Sequence, residues 1–331
     1  GEPFAFATRQ VVFGIIGLVA MVVVMSIDYE TLKDRAVSIY TATIAMLVLL
    51  LLVGLAQGAD RISFDFGPFN LQPAELAKFS TMLLLAAFLA EERTDEVSYP
   101  RFVGGLILVG FPAVLVIIQP DLGSASVLVA LAMGTLLIAG ARPKYIVAVS
   151  VLAVMTVLAA FIARLVNEYQ VQRLKVFLDQ ETTDPGLQDA VHQVRNAIRA
   201  LATGGLWGKG WLEGPLTNGR DIPVMWADFP FAAVAEQFGL VGCLILISLF
   251  IVVLARIWRV ASLSKDALGT YICAGVFTMV LWQMFQNIGM TLGITPVTGL
   301  PMPFISYGGS SLIVYCAMFG LVQSVYMRRM R

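Results

Sequence analysis

The stretch PVMWADFPFAAVAEQFGLVGCLILISLFIVVLARIWR, residues 223–259, decides the fold. Between Phe229 and Ala255 its only charge is Glu236, and Arg256 and Arg259 close it. A helix needs about 20 apolar residues to cross a bilayer, whereas a transmembrane strand needs roughly 10 that alternate. This run is too long and too uniformly apolar for a strand, so it reads as a membrane-spanning helix. Asp228 stands at its mouth among aromatic residues and Glu236 lies eight positions further in, which asks why so apolar a chain keeps acids there.

The rest of the chain agrees. Its 331 residues are 58% hydrophobic and 13% charged, with a mean hydropathy of +0.83. Soluble domains carry about 25% charged residues. The chain is therefore read as an all-α polytopic membrane protein, because helices satisfy their own backbone in lipid. Net charge is zero, which implies no bulk attraction to nucleic acid. Cys243, Cys273 and Cys316 fall in separate apolar runs, arguing against a disulfide or zinc site. With His192 the only histidine, a His-based metal cluster within the chain is excluded.

Nine spans are expected, at about 11–27, 37–56, 73–90, 102–118, 123–140, 145–165, 229–255, 269–292 and 304–327. A long loop, 166–228, separates the sixth and seventh. Basic residues set the orientation. Lys33, Arg35, Arg93, Arg101, Arg142, Lys144, Arg256, Arg259, Lys265, Arg328, Arg329 and Arg331 share one side; the short segments opposite hold Arg9 and Arg61. The C-terminus is thus expected in the cytoplasm and the long loop outside. Nine spans then place the N-terminus outside, so a further helix is expected before Gly1, giving ten in the intact protein.

The unusual polar segments gather on the outer side. They are ISFDFGPFNLQPAELAKF before span three, QPDLGSAS before span five, ATGGLWGKGWLEGP in the long loop and GITPVTGLPMPFISYGGSS before span nine. Prolines and glycines in the last cannot form one uninterrupted helix. A broken or re-entrant segment is expected there, serving either as an anion site or as a tight structural turn. Glu75 and Lys78, at i and i+3 after Pro73, share a helix face. They read as a structural ion pair or, since buried charge is costly in a membrane, as functional groups. Asp121 reads as a helix N-cap or a catalytic acid, and Arg9 as an interfacial anchor or an anion ligand. Asp228 has the N-cap alternative too, while Glu236 reads as a packing partner or proton relay. In the long loop, residues 187–202 place Ala190, Val191, Val194, Ile198 and Leu201 opposite Arg195 and Arg199. That pattern predicts an amphipathic helix on the outer leaflet. Gly204, Gly205, Gly208 and Gly210 then predict a tight, flexible segment.

LQPAELAK, QPDLGSA, ADFPFAAVAEQFG and GITPVTGLPMPFISYGGSS, in that order, resemble the motifs of the SEDS family of RodA, FtsW and SpoVE proteins; RLKVFLD fits as well. The resemblance covers essentially the whole chain. It implies ten transmembrane helices and a peptidoglycan glycosyltransferase that polymerises lipid II on the outer face of the cytoplasmic membrane. It also implies a class B penicillin-binding protein as crosslinking partner. The family's essential acid falls on Asp228, and its charged motif positions fall on Arg9, Glu75, Lys78 and Asp121. Ala227 and Pro230 depart from the usual TDFIF-like sequence, and the loop before Asp228 departs as well, so acceptor positioning is open to variation. Gln119 favours a RodA-type elongation enzyme over a division or sporulation paralogue.

On this reading Asp228 is the base that deprotonates the acceptor sugar hydroxyl, its pKa raised by Trp226, Phe229 and Phe231. Lys78 and Arg9 would meet the leaving pyrophosphate, assisted by Ser310 and Ser311 and by a divalent cation (Mg2+ or Mn2+) held with Asp121 or Glu75. The rival from another class is a lipid II flippase, since broken helices and buried charges also suit transporters.

Overall fold

The computed structural model describes residues 5–58, 61–67, 69–92, 96–162, 168–180, 184, 187–218 and 225–330. Arg93, Arg331 and the stretch 219–224 before Asp228 lie outside them, as do the end of the sixth expected span and parts of the long loop. In chain order the elements are α1 (Ala5–Ser26), α2 (Tyr29–Asp34), α3 (Ala36–Gln57), β1 (Phe64–Phe66), β2 (Phe69–Leu71), α4 (Pro73–Ala90), α5 (Tyr99–Ile118), α6 (Leu122–Ile138) and α7 (Pro143–Ile162). There follow α8 (Glu168–Leu178), α9 (Gln188–Gly204), α10 (Pro215–Asn218), α11 (Met225–Asp228), α12 (Pro230–Ser262), α13 (Ala267–Thr291) and α14 (Gly309–Arg328). Among the described residues seven helices are long and apolar enough to cross a membrane: α1 from Ala7, α3, α4, α5, α12, α13 and α14. The other two expected spans fall on shorter apolar helices, Leu122–Ile138 and Pro143–Thr156. This is a multi-pass membrane protein.

One departure from an all-α reading is small. Before α4 the chain makes an antiparallel hairpin, with Phe64 opposite Leu71 and Phe66 opposite Phe69. Gly67, at φ 71°, supplies the left-handed turn residue. Another concerns the last span. Expected from about 304, α14 begins at Gly309, because Phe304 takes a left-handed φ of 65° and Gly308 is extended as the N-cap, neither of which continues a helix.

The chain forms two compact units. The first comprises Gly1–Val147, Leu254–Trp282 and Gly308–Arg331. At its heart is α4, with Pro73 as first residue and Glu75, Lys78, Ser80 and Thr81 all buried. α1 runs along α14 at close range: a methyl on Gly320 would meet the backbone oxygen of Met21 at 2.4 Å. Arg328 pairs with Asp28 at 3.1 Å and donates to the Ser26 carbonyl, tying the end of α14 to the α1–α2 junction.

The second unit comprises Ala148–Val253 and Gln283–Tyr307. Here α9 is amphipathic as expected, but its apolar face is spent on protein rather than lipid. Val191 and Val194 pack with Val176 and Leu187, while Ala197 and Ala200 pack with Phe229, Ala232 and Met290. The small alanines permit that close approach, so the outer-leaflet placement of this face is not what the fold uses.

The glycine-rich segment after α9 is tight but not the flexible element expected. Within α12, Gly239 is non-helical (φ 65°, ψ −162°), and the kink frees peptide groups of their helical partners. Lys209 and Gly210 donate their N–H groups to the Glu236 and Gln237 carbonyls at 2.9 and 3.1 Å. Leu240 and Val241 in turn donate to the Gly205 and Leu206 carbonyls at 2.9 and 3.2 Å. The two backbones are nearly in contact: a methyl on Gly208 would lie 2.1 Å from the Gln237 carbonyl oxygen. Glycine is needed because of that approach, and four hydrogen bonds then hold the segment in place.

Candidate functional site

Asp228 ends the short helix α11, and Pro230 begins α12. Phe229 therefore takes the N-cap position, which leaves the Asp228 carboxylate unspent on the helix start. Phe229 and Phe231 are buried beside it, whereas Trp226 is half-exposed. The junction is fixed from α13: fully buried Asn287 donates from Nδ2 to the carbonyls of Asp228 and Leu300, each at 2.9 Å. Tyr307 donates its N–H to the Trp226 carbonyl at 2.8 Å. α13, through Asn287, thus holds the Asp228 end of α11, and the irregular stretch after α13, through Tyr307, holds Trp226.

Arg173 of α8 reaches the same place. Its Nη1 donates to the Val297 carbonyl at 2.8 Å. A methyl on Gly299 would lie 3.8 Å from Arg173 Nη1 and 3.8 Å from each Asp228 carboxylate oxygen. Gly299, at φ 68°, makes the left-handed turn that carries the chain past the two side chains. Burial pushes the Asp228 carboxyl above its usual range, and the Arg173 charge opposes that shift. Two further polar atoms lie in this stretch of structure: Asn287 Oδ1 and Thr298 Oγ1 are buried and have no hydrogen-bond partner among the described residues. Buried polar atoms are nearly always satisfied, so such atoms beside a carboxylate mark a place for a ligand or water.

The sequence reading missed Arg173, Asn287 and Gly299. A basic residue in RLKVFLD and an amide inside an apolar span were the available signals. Glu236 has a structural role: fully buried, it accepts from the N–H groups of Leu216 at 3.0 Å and Thr217 at 2.7 Å, and from the Thr217 hydroxyl. It clamps the loop onto α12, the packing role of the two expected for it.

The other candidates lie in the first unit. Lys78 Nζ and Glu75 Oε1 form a fully buried pair at 2.6 Å, and Glu75 Oε2 has no hydrogen-bond partner among the described residues. Asp121 caps α6 through the Ser124 N–H at 2.9 Å and accepts from Gln72 Nε2 at 3.0 Å. Both its oxygens are thereby engaged. Ser310 donates to the Asn70 carbonyl and accepts from the Gln72 N–H at 3.3 Å, fixing the hairpin to the start of α14. Ser311 donates to the Gly308 carbonyl at 3.2 Å. Arg9 is exposed on the first turns of α1. Asp121, Ser310 and Ser311 thus have architectural work, while Glu75 keeps a free oxygen.

The sequence profile of the FtsW/RodA/SpoVE family, described as cell cycle proteins, matches residues 1–331. Peptidoglycan glycosyltransferase MrdB of Escherichia coli K12 is 36% identical over 99% of this chain and 88% of its own length. A chain in a solved structure described as structural coordination of polymerization and crosslinking by a peptidoglycan synthase complex is 28% identical. It covers 100% of this chain and 91% of its own, with a TM-score of 0.82. The Thermus thermophilus rod shape determining protein RodA is 27% identical, over 100% of this chain and 90% of its own, with a TM-score of 0.71. With the motifs, the fold and these likenesses in agreement, the chain belongs to the SEDS family of FtsW, RodA and SpoVE proteins.

Proposed function

We propose that this protein is a RodA-type peptidoglycan glycosyltransferase, polymerising lipid II at the outer face of the bacterial cytoplasmic membrane alongside a class B penicillin-binding protein. In this reading nine spans are present in the chain, the long loop faces outward and the C-terminus is cytoplasmic. The observation that carries the assignment of chemistry is the Asp228 carboxyl, held at the mouth of α12 with its pKa raised by burial and Arg173 beside it. A base working near neutral pH benefits from such a shift, because the carboxylate becomes basic enough to take a proton while its conjugate acid stays strong enough to lose it again.

Asp228 takes the proton of the acceptor sugar hydroxyl as that oxygen attacks the anomeric carbon of the donor. The bond from that carbon to the undecaprenyl pyrophosphate breaks with inversion. Asn287 keeps the Asp228 backbone in place, and Arg173 holds part of the carboxyl population ionised. Lys78 is the buried cation proposed to meet the pyrophosphate, with Glu75 as its partner, and Arg9 is proposed as a contact at the membrane edge. Ser310 and Ser311 are proposed to assist Lys78 at the pyrophosphate while holding the hairpin and the α14 entry, and Asp121 is proposed to support them by capping α6 and bonding Gln72.

A divalent cation fits only in part. Among the described residues no three Asp, Glu, His or Cys side chains stand together, and of the two acids expected to hold the cation, Glu75 has an oxygen, Oε2, without a hydrogen-bond partner, while both Asp121 oxygens are engaged. One carboxylate plus substrate phosphates is a normal way to hold Mg2+. When bound there, the cation would supply neutralising charge to the pyrophosphate.

The test uses the full chain with its cognate transpeptidase and fluorescent lipid II. Glycan strands from wild type and none from Asp228→Ala or Asp228→Asn, with unchanged melting of the purified proteins, are the expected result. Wild-type rates from both variants would remove Asp228 from the reaction. Lipid II translocation in liposomes without polymer would replace the polymerase with the flippase.

A further inference from the structure

The kink at Gly239 and the segment bonded to it present an apolar surface that catalysis does not use. Trp207 and Trp211 are 78% and 68% exposed, and Leu206, Leu212 and Leu240 are exposed around them. Trp211 leans on Phe238, with ring centroids 5.7 Å apart. These side chains stand on a backbone fixed by the four hydrogen bonds to α12 and by glycines at φ 56°, 82° and 113° (Gly205, Gly208, Gly210). Their display is therefore ordered before any partner arrives.

Depth follows from α12 itself. The sixteen residues Leu240–Ala255 carry no charge, and Arg256 follows. At about 1.5 Å per residue they rise roughly 24 Å, somewhat less than the ~30 Å hydrocarbon thickness. With Arg256 at one boundary, the kink comes within roughly 6 Å of the opposite boundary, a distance the side chains of the attached segment can span. Exposed Lys209 and Glu213 lie between and beside the tryptophans, and neither belongs in hydrocarbon. Tryptophan with an apolar face and a polar ring nitrogen is the residue that collects at headgroup level. Below the kink the exposed apolar face continues without a break into Leu244, Ile245 and Leu249 of α12.

We propose that residues 206–213 form a rigid lipid-interface anchor, with Trp207 and Trp211 seated at headgroup depth at the end of α12 opposite Arg256. The occupant of this surface is the bilayer. The inference does not depend on the catalytic reading.

The test is depth-dependent quenching of tryptophan emission in the full chain, reconstituted in phosphatidylglycerol/phosphatidylethanolamine vesicles. Subtracting the spectrum of Trp207→Phe/Trp211→Phe from wild type isolates the two rings. Phenylalanine keeps the apolar bulk, and a matched melting temperature confirms the fold. Nitroxide lipids labelled near the headgroup are expected to quench this difference on the order of twofold more than lipids labelled at the chain end, with little quenching by aqueous iodide. Stronger quenching by the chain-end label would overturn the interfacial depth. Iodide quenching without lipid quenching would overturn the lipid contact altogether. Loss of lipid quenching when the penicillin-binding protein is added would reassign the surface to a protein partner.

Discussion

Replacing Arg173 by Met should move the acid limb of the polymerisation pH profile upward by about one unit. The argument starts from distance. Arg173 Nη1 and the Asp228 oxygens each lie 3.8 Å from the same point, a methyl position on Gly299, so they are no more than about 7.6 Å apart. Even at that maximum separation, with an effective dielectric between about 20 and 40, a unit charge is worth about 1–2 kcal/mol to the carboxylate. That corresponds to about one pKa unit. The sign is fixed: Arg173 lowers a pKa that burial has raised, so its removal raises it further. A base is active when deprotonated. The variant therefore loses rate on the acid side and regains it at higher pH, while Arg173→Lys keeps the limb near its wild-type position. The assay is kcat/KM for fluorescent lipid II, measured from pH 5 to 9 at constant ionic strength with each variant's melting checked. An unmoved limb in a folded Arg173→Met protein would refute the electrostatic link between the two residues. A limb on the alkaline side that tracks position 173 would make Asp228 an acid.

Three further outcomes follow from other contacts. Lys78→Met leaves Glu75 charged and unpaired in the interior and should cost about 3–5 kcal/mol in thermal unfolding; Glu75→Gln/Lys78→Met should recover most of that while still failing to polymerise if the pair meets pyrophosphate. Glu236→Ala strands the Leu216 and Thr217 donors and should cost about 1–3 kcal/mol per donor, read as a lower melting temperature and faster proteolysis between 210 and 218. Gly239→Ala puts a methyl 2.4 Å from the Gly208 nitrogen at a left-handed φ, and should yield poorly monodisperse protein through a penalty on the order of 1–3 kcal/mol.

Helix existence was legible because lipid leaves the backbone few options. Each expected span from 37–56 to 269–292 has its apolar helix, and Pro73 marks the first residue of α4 as its chemistry requires. Asp228 was legible as an acid at the mouth of an apolar run. What surrounds it was not, since Arg173, Asn287 and Gly299 come from distant parts of the chain and meet only through tertiary structure. Periodicity found the apolar face of α9 but could not say whether lipid or Phe229 covers it. The glycines at 204–210 were read as freedom, because sequence does not reveal that another backbone fills the space their missing side chains leave. Asp121 illustrates the reverse: its capping role was already among the local readings, and the structure adds Gln72 to its partners.

The break at Gly239 also bears on how the protein is made. A helix whose outer end holds two carbonyls and two amides stripped of helical partners keeps unpaired polar groups at the edge of the hydrocarbon, where excluded water makes each cost on the order of 1–3 kcal/mol. Their partners, at 205–210, leave the ribosome first and must wait for residues 236–241 to appear. Insertion of α12 is then not complete when its apolar length has entered the bilayer, but only when the earlier segment has closed on it. A translocation intermediate stalled between those two events would expose α12 to membrane quality-control proteases at its kink, and glycine substitutions at 204 or 208 should lengthen that exposure in pulse-labelled cells.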